Sequence, residues 1–419
     1  MSREANLARL RDEHWDVLVI GGGINGAGIA RDLVLRDAGL RVALVEKNHF
    51  ASGTSGKNSQ LIHGGLRYLK YFDFHLVREA LRERATLLAM SGGLVEPLKF
   101  IIPCEGLIDR WYYGAGLTLY DLLAGKYGIG RHRSVDAGLL FYDCKVNSAR
   151  LVLENVIDAE ARGAAIANYV EAKVDGKRIE AFDSLAGQRF PIRARKVVDA
   201  TGAWSDGGRL RLVRGSHLVF PRIRQGDEAI AFFDDKGRIV FLIPWGERND
   251  LTLVGTTDVD HDGSPDDVHI SQEERDYLTA IVRRLFPSFP GEPVSSYSSL
   301  RPLISEPGRS ATSTSREHAI WETADGVLHI AGGKYTTYRA MSEELVNKLV
   351  SQPCRTAEIP LQVVKPPQDP MARVRQAVER EYARKLDDLL YVSTYWGYER
   401  KLSPEWIDPL ARELAALTQ

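Results

Sequence analysis

The sequence predicts an α/β nucleotide-binding domain of the Rossmann-like type, joined to an α+β unit with an antiparallel sheet and to a short helical C-terminal segment. Three observations predict this fold class. A glycine-rich turn separates a buried strand from a helix near the N-terminus. Short β-branched runs alternate with charged turns between residues 212 and 259, and residues 371–419 have a mostly helical pattern. At 419 residues the chain is too long for one ordinary core, so we expect two or three folding units.

The composition is that of a globular protein with no surplus of either charge. Apolar residues make up 44% and charged residues 26% of the chain. The 55 Lys and Arg residues face 56 Asp and Glu residues, which leaves a formal net charge of -1. Nucleic acid is therefore not an expected partner, because its binding depends on a surplus of positive charge.

The cysteines and the N-terminus both indicate a reducing, cytoplasmic location. Cys104, Cys144 and Cys354 are far apart, odd in number and without C-x-x-C spacing, so we expect unpaired thiols. Residues 1–16 are charged and lack the apolar core of a signal peptide. No uncharged run approaches the length that crosses a bilayer, and no group of residues has the spacing of a metal site.

The glycine-rich turn has the surroundings of a nucleotide-binding motif. A short buried strand, Trp15–Ile20, precedes residues 21–26, and a helix-compatible run, Ile29–Asp37, follows. The next predicted strand, Arg41–Val45, ends in Glu46, about twenty positions after the last glycine of G-x-G-x-x-G. A glycine-rich turn can be an ordinary loop. Here, however, the strand, the helix, the second strand and the acidic residue all occur in the order and at the spacing of the motif.

Each part of this motif has a physical role. Gly21 permits the tight turn, Gly23 lets the backbone approach a pyrophosphate, and Gly26 lets the helix pack close to the strand. The helix N-terminus offers N–H groups and a positive dipole end to the phosphates, while Glu46 can accept hydrogen bonds from ribose hydroxyls. The motif alone does not separate NAD from FAD. Its predicted cofactor contacts are Gly21, Gly23, Ile24, Asn25, Gly26 and Glu46.

Two later segments favour FAD over NAD. Residues 195–203 form a short strand that enters a small-residue turn; the turn could return beside the nucleotide or be an ordinary strand-to-loop corner. Residues 327–334 again form a strand that meets glycines, and a helix-like stretch from 336 to 350 follows. Such a helix N-terminus at the flavin's N1–C2=O edge would stabilise the anionic reduced ring. A nucleotide domain assembled from segments so far apart fits a large, extended cofactor.

From Phe50 onward the sequence resembles a known family. The stretch FASGTSGKNSQLIHGGLRYL resembles the flavin-dependent glycerol-3-phosphate dehydrogenases, and the resemblance continues in the same order along the chain. The further matching stretches are YDCKVNSARLVLENV (142–156), VRGSHLVFPR (213–222), IPWGERNDLTLVGTTDVD (243–260), YSSLRPLISEP (297–307) and AGGKYTTYR (331–339). The combination is specific, although no single stretch is.

The resemblance implies a discontinuous, glutathione-reductase-like FAD domain of the Rossmann-like type, interrupted by a substrate domain with an antiparallel sheet. The implied FAD domain comprises residues 1–100, 145–210 and 325–350. The implied substrate domain comprises residues 101–144 and 211–324, and residues 351–419 form a linker and a short helical region. Further implied cofactor contacts are Thr54, Ser55, Ser59, Leu61, His63, Gly65, Ala200, Thr201, Gly202, Gly333 and Thr336.

The resemblance also implies a reaction, the oxidation of sn-glycerol 3-phosphate to dihydroxyacetone phosphate. A hydride passes from C2 to flavin N5, and the electrons usually continue to a membrane quinone, which would place the protein on the inner face of the cell membrane. Residues 128–139 and 204–211 are shorter than in typical members, and most of the helical C-terminal domain is missing. Gly56 and Gln60 replace the common Ser and Lys. These departures leave the oligomeric state, membrane docking and electron acceptor open.

A phosphorylated substrate needs cations, preferably guanidinium groups, whose planar fork matches phosphate oxygens. Arg67 follows a turn that would pass the flavin. By residue type alone it could be a surface ion pair, but the resemblance favours Arg67 and Tyr68 as phosphate ligands. Arg301 is biased toward an extended backbone by Pro302, and the resemblance points it into the cleft rather than into water. Lys334 could reach both the substrate phosphate and the flavin, or be solvated near the helix start. It opposes the dipole of the helix it precedes, a small cost that suggests function, so we expect it to bind substrate with Arg67 and Tyr68.

Two further residues are candidates for the chemistry itself. His217 lies next to apolar residues, where a histidine is more often structural, but the resemblance favours it as the general base. Asp258 either orients His217, binds a substrate hydroxyl or is an ordinary turn carboxylate. We therefore expect His217, Arg301 and Asp258 to be catalytic, and the sequence does not settle which group takes the proton.

Residues 108–133 combine aromatic and apolar side chains with basic residues at their edges. This pattern suits an interfacial membrane segment that reaches a quinone, and equally a buried helical hairpin between domains.

Two alternative functions remain open on the sequence. One is an FAD-dependent oxidase or dehydrogenase of another phosphorylated or anionic polyol or hydroxy acid, and the other is a non-catalytic FAD-binding regulatory subunit.

Overall fold

Two β-sheets form the framework of the chain in this computed structural model, which describes residues 2–205, 208–305 and 317–418. In chain order the strands are β1 (His14–Ile20), β2 (Val42–Glu46), β3 (Leu61–Ile62), β4 (Val95–Pro103), β5 (Arg133–Val135), β6 (Gly138–Val146), β7 (Ala165–Asn168), β8 (Val170–Asp175), β9 (Arg178–Asp183), β10 (Gln188–Asp199), β11 (Leu210–Pro221), β12 (Ala229–Phe233), β13 (Ile239–Trp245), β14 (Leu251–Gly255), β15 (Val259–Asp260), β16 (Ser295–Ile304), β17 (His318–Glu322) and β18 (Val327–Gly332).

The helices lie between and after these strands. In chain order they are α1 (Arg3–Asp12), α2 (Ile24–Leu35), α3 (Phe74–Met90), α4 (Leu107–Ala124), α5 (Ser148–Ala161), α6 (Gln272–Leu285), α7 (Tyr338–Val346), α8 (Pro370–Arg380), α9 (Leu386–Asp388), α10 (Trp396–Glu399) and α11 (Pro404–Thr418). Short 3₁₀ turns cover Leu66–Tyr71, Gly125–Tyr127, Gly202–Trp204 and Tyr335–Thr337, and Leu389–Ser393 forms a π-helical turn.

The first sheet is mainly parallel, and its central strands are apolar runs, as expected for strands that are covered on both faces. Its order is β17-β18-β10-β1-β2-β7, with β17 antiparallel at one edge. Residues of β1 enter two different cores. Val17 and Val19 pack with the helices α2, α5 and α7, whereas Trp15 and Leu18 pack with the strands β8 and β9. The Rossmann-like sheet predicted from the glycine motif is confirmed.

The second sheet is largely antiparallel and has the order β15-β11-β14-β13-β12-β4-β6-β3, with β16 paired to β11. One pair, β4 with β12, is parallel. The amphipathic helix α6 begins with a capping box at Ser271 and Glu274. Its apolar face, with Leu278 and Ile281, packs on strands β11 to β14. The predicted antiparallel sheet is therefore confirmed.

The C-terminal region is helical after a segment, 351–369, without helix or strand. Its own core contains Leu389, Leu390 and Trp396, with Leu386 and Trp406 partly buried against it. Ion pairs tie this region to the first domain, since Glu381 accepts a hydrogen bond from Arg150 of α5 and Arg380 of α8 donates one to Glu154 of α5. The region is thus packed against the nucleotide-binding unit.

The sheets divide the chain at other points than the predicted domain limits. Strands β3 and β4, which begin before residue 101, belong to the second sheet, and β17, which precedes residue 325, belongs to the first. These differences from the predicted domain limits arise because the strands pair with segments that are distant in the sequence, and local sequence patterns do not show such pairing.

The segment 108–133 is not a helical hairpin, so that interpretation was wrong. It forms one helix, α4, a 3₁₀ turn and a loop to β5. Leu117 and Tyr120 face inward, while Ile108 and Trp111 are 84% and 76% exposed. Among the described residues, no helix has both the length and the apolar character needed to cross a bilayer. The three cysteines are unpaired, as expected.

Candidate active site

One cavity of about 1040 Å³ is lined by residues of both sheets. Ile20, Glu46 and Asp199 end the parallel strands β1, β2 and β10, and all three line the cavity. Ligands of open α/β sheets bind at this carboxyl edge of the strands. His217 and Arg301 reach the same cavity from the second sheet.

The glycine-rich turn has no room for side chains at its first and last glycines. Gly21 has a φ of +108°, and a Cβ there would lie 2.6 Å from the carbonyl oxygen of Ala200. A Cβ on Gly26 would collide with the carbonyl oxygen of Gly21. Helix α2 begins at Ile24, earlier than the predicted start at Ile29, so its N-terminal end lies in the turn itself. This helix end supplies N–H groups and a positive dipole end that suit a pyrophosphate.

Glu46 stands at the end of β2 in the cavity wall. Its Oε2 accepts the Gly22 N–H at 2.6 Å, and its Oε1 accepts the Asn48 N–H at 2.8 Å. Burial raises the pKa of this carboxyl group. An acid at this position accepts hydrogen bonds from a ribose in dinucleotide-binding folds.

The cavity as a whole fits FAD. The glycine cradle and Glu46 suit the pyrophosphate and a ribose. Leu61, Phe141 and Phe241 add apolar walls that a ring system requires, and they line the same cavity. A dinucleotide with a large ring therefore matches both kinds of wall.

A carboxylate joins two arginines at the cavity wall. Asp258 Oδ2 accepts a hydrogen bond from Arg67 at 3.2 Å, and its Oδ1 accepts one from Arg301 at 2.9 Å. Arg301 also donates to the carbonyl oxygen of Thr257 at 3.0 Å and to Oγ1 of Thr256 at 2.8 Å. These bonds hold the two guanidinium groups beside each other before a ligand binds. Little further side-chain entropy is therefore lost when the ligand binds.

Lys334 and Tyr68 form a second pair in the same cavity. The Lys334 Nζ lies 4.0 Å from the centre of the Tyr68 ring and donates to the carbonyl oxygen of Leu76 at 3.4 Å. A cation over a tyrosine face is attracted by the ring's quadrupole.

Gly65 has a φ of +78°, and this conformation carries the chain from His63 to Arg67. The turn therefore sets the direction of both flanking side chains.

His217 is buried, with 2% of its surface exposed. Its Nε2 lies 2.9 Å from Ser59 Oγ, and its ring stacks on Tyr297 at a centroid distance of 5.0 Å. Its Nδ1 has no hydrogen-bond partner among the described residues. Asp258 therefore does not orient His217, which corrects one predicted role. Burial, with the nearby charge of Arg301, lowers the pKa of His217 to about 3, so the ring is neutral near pH 7.

His63 lines the same cavity as His217 but is less buried. Its backbone is fixed by Thr336, whose Oγ1 accepts the His63 N–H at 3.1 Å and donates to the His63 carbonyl oxygen at 3.3 Å. Its ring is only half-buried, lines the cavity and makes no hydrogen bond to any described residue. Burial lowers the pKa of His63, so its ring too favours the neutral form.

The structure brings the predicted site residues together. Every predicted catalytic and substrate-binding residue lines the cavity, and so do the predicted cofactor contacts apart from Gly26 and Thr336. Those two support it from behind, Gly26 by close packing and Thr336 through His63. Sequence reasoning missed Thr256, although it stands in the Gly-Thr-Thr-Asp stretch that drew attention to Asp258.

A family model described as FAD dependent oxidoreductase matches residues 16–339. The glycerol-3-phosphate dehydrogenase of Synechocystis sp. is 37% identical over 418 residues, and the match covers 85% of this chain and 74% of that protein. The mitochondrial glycerol-3-phosphate dehydrogenase of Rattus norvegicus is 36% identical, with 83% of this chain and 55% of that protein covered. The chain thus spans little more than half of the longer relative.

A solved structure is similar over nearly the whole chain. It is the glycerol-3-phosphate dehydrogenase from Bacillus halodurans complexed with FAD, with a TM-score of 0.77 and 26% sequence identity. The match covers 99% of this chain and 93% of that one.

Proposed function

The chain belongs to the family of FAD-dependent glycerol-3-phosphate dehydrogenases, and we propose on that premise that it oxidises sn-glycerol 3-phosphate to dihydroxyacetone phosphate, with FAD as its cofactor. One observation supports this most strongly. The paired arginines Arg67 and Arg301 line the same cavity as the glycine cradle at residues 21–26. A cationic site beside a dinucleotide site suits a phosphorylated substrate that reacts with the cofactor.

The charge of the cationic site matches a phosphate monoester. Arg67, Arg301 and Lys334 carry three positive charges, and Asp258 carries one negative charge, so these four groups have a surplus of two. A phosphate monoester carries about -1.5 to -2 near pH 7. The guanidinium forks also match phosphate oxygens in geometry. We assign substrate binding to Arg67, Tyr68, Lys334 and Arg301.

The residues of the chain must hold C2 of the substrate and remove the proton of its hydroxyl. FAD supplies the hydride acceptor, flavin N5, when it is bound. Arg67 and Arg301 fix the phosphate, which limits the positions that C2 can take. The positive charges of Lys334 and Arg301 stabilise the negative charge that develops on the substrate oxygen as the proton leaves.

Two histidines compete for the role of proton acceptor. A ring nitrogen must be neutral and within reach of the hydroxyl group. Both rings are neutral near pH 7, and both residues line the cavity. His217 is 2% exposed and has its Nε2 beside Ser59, whereas His63 is only half-buried and its ring makes no hydrogen bond to any described residue. We therefore assign the proton to a ring nitrogen of His63 and a supporting place in the wall to His217, and the originally predicted base, His217, is the alternative that the pH experiment below tests.

Reduction of a dye by the purified holoenzyme tests this function. The panel contains sn-glycerol 3-phosphate, other phosphorylated polyols, glycerol and small hydroxy acids. We expect the highest kcat/KM with sn-glycerol 3-phosphate and no measurable rate with glycerol, because glycerol lacks the phosphate. A higher kcat/KM with another polyol or a hydroxy acid would replace the substrate. A flavin that no member of the panel reduces would indicate a non-catalytic FAD-binding subunit.

We further propose that α4 brings a cytoplasmic protein to the inner face of the membrane, where a quinone can accept the electrons. The outer face of α4 exposes Leu107, Ile108, Trp111 and Leu122. Isolated exposed apolar side chains are normal, but a contiguous group with aromatic members is typical of an interfacial helix. Lys126 and Arg131 follow the helix and add positive charge.

Flotation with vesicles of phosphatidylglycerol tests this docking. We expect the wild type to float with the vesicles and the Ile108→Glu/Trp111→Glu variant to remain in the dense fraction. Leu185→Glu is the control, because Leu185 is an exposed apolar residue on the hairpin between β9 and β10. Equal flotation of all three proteins, or none of the wild type, would contradict the proposal.

A further inference from the structure

Tyr395 joins the C-terminal region to the wall of the active-site cavity. It precedes α10 in a left-handed conformation, with a φ of +66°, and only 3% of its surface is exposed. Its hydroxyl reaches the loop between β2 and β3, at residues that are 339 and 335 positions away in the chain. A buried tyrosine hydroxyl usually has a specific partner, and here it has partners in two separate segments.

The first of these segments is the loop at residues 56–60. The Tyr395 hydroxyl donates to the carbonyl oxygen of Gly56 at 3.0 Å and lies 3.4 Å from Oε1 of Gln60. Gln60 Nε2 in turn donates to the same Gly56 oxygen at 3.2 Å. Burial raises the pKa of Tyr395, so the hydroxyl keeps the proton it donates.

The second segment is the first turn of α5, whose N–H groups have no partners within the helix. The Ala149 N–H donates to the Tyr395 hydroxyl oxygen at 3.1 Å, and the Ser148 N–H donates to Gln60 Oε1 at 2.9 Å. Tyr395 and Gln60 together therefore fasten the loop to a helix of the nucleotide-binding unit. Unmaking such buried bonds leaves unsatisfied backbone groups, which is costly.

The fastened loop carries side chains of the site. Asn58 and Ser59 line the cavity, and Ser59 Oγ lies 2.9 Å from Nε2 of His217. The second sheet holds the other side of the loop, because Tyr297 donates to the carbonyl oxygen of Asn58 at 2.7 Å and Ser299 donates to that of Lys57 at 2.6 Å. The loop is thus held from both sides, and Tyr395 supplies the hold on the C-terminal side.

We propose that Tyr395 is a positioning residue, which acts through the loop at 56–60 and sets Ser59 and His217 in the cavity where FAD binds. This role rests on the proposed function for its effect on turnover, but its effect on FAD binding does not depend on which substrate is oxidised. The C-terminal region is then a part of the active-site wall rather than a separate appendage.

The test compares Tyr395→Phe with Tyr398→Phe in the full-length holoenzyme. Both substitutions remove only a hydroxyl from a buried tyrosine of the same region, and the Tyr398 hydroxyl makes no hydrogen bond to any described residue. The Kd of FAD is measured by titration of the FAD-depleted chain at a temperature well below Tm. The kcat and KM for sn-glycerol 3-phosphate are measured at saturating FAD.

We expect Tyr395→Phe to raise the Kd of FAD about tenfold, as the loss of one or two buried hydrogen bonds implies, and to lower kcat with less than a twofold change in KM. Tyr398→Phe should leave all three values within twofold. An unchanged Kd in Tyr395→Phe, even with a lower Tm, would overturn the proposal, and so would an equal effect of Tyr398→Phe. If Tyr395→Phe does not fold, Gln60→Leu decides by the same criterion. A wild type that binds FAD but does not oxidise glycerol 3-phosphate would refute the proposed function and leave the FAD comparison intact.

Discussion

Asp258 shows how single residues shape the proposed site. It places a negative charge between Arg67 and Arg301, which lowers the repulsion between two guanidinium groups and fixes their forks before a substrate arrives. Arg67, Asp258 and Arg301 were each predicted from a different stretch of the sequence. The contact between Asp258 and Arg301 is a property of the fold, because β11 pairs with both β14 and β16 and so brings the loop after β14 beside Arg301.

Arg301→Ala should lower kcat/KM for sn-glycerol 3-phosphate about 100-fold, the effect expected when a hydrogen-bonded charge partner of the phosphate is lost. The Kd of FAD should change less than threefold. Arg211→Ala is the control, since Arg211 pairs with Asp260 at the surface, outside the cavity lining. Steady-state kinetics check this prediction. Wild-type kinetics in Arg301→Ala would show that the substrate site has been assigned to the wrong residues.

The two histidines make a prediction about pH. The base must be neutral, and burial lowers the pKa of both rings, so activity should persist below pH 6.5, the ordinary histidine pKa, and fall only as the pH drops through the lowered value. His63→Asn should lower kcat at least 100-fold and abolish this acid limb, with FAD still bound. His217→Asn should retain the limb. The pH profiles of kcat decide, and loss of the limb in His217→Asn alone would return the proton to His217.

At the scale of elements, sequence patterns predicted the kind of element better than its limits. Helix α2 begins at Ile24 rather than Ile29, because glycines of low helix propensity are accepted where close packing requires them. Helix α4 was ambiguous for a different reason. An apolar and aromatic helix has the same pattern whether its outer face meets protein or remains exposed, and only the fold shows that Ile108 and Trp111 are uncovered.

Gly26→Ala should abolish FAD binding or prevent folding, because the added Cβ would collide with the carbonyl oxygen of Gly21 at the start of α2. Gly106→Ala is a matched control, since Gly106 precedes α4 with an extended backbone and a Cβ there meets no atom within 4 Å. Flavin absorbance of the purified proteins and circular dichroism check both variants. A Gly26→Ala protein that retains FAD with wild-type affinity would contradict the assignment of the turn.

At the scale of the whole molecule, the site is made where distant segments meet. Three motifs could be recognised in the sequence because the spacing of their residues is local. They are the glycine motif at 21–26, the turn at 63–65 and the turn at 332–334. The hold of Tyr395 on Gly56 could not be predicted, since nothing in either segment identifies the other across 339 positions. Gly56 and Gln60, the two positions at which the resemblance implies a departure from the family pattern, lie at this contact. A lysine at position 60 has no acceptor for the Ser148 N–H, whereas Gln60 supplies one.

Anaerobic mixing of the FAD-loaded protein with sn-glycerol 3-phosphate tests the central claim most directly, because it reports cofactor, substrate and hydride transfer in one signal. We predict rapid bleaching of the visible flavin absorbance by sn-glycerol 3-phosphate, much slower bleaching in Arg301→Ala, and no bleaching by glycerol. A flavin that remains oxidised in sn-glycerol 3-phosphate would contradict the account, and so would bleaching by glycerol at the same rate.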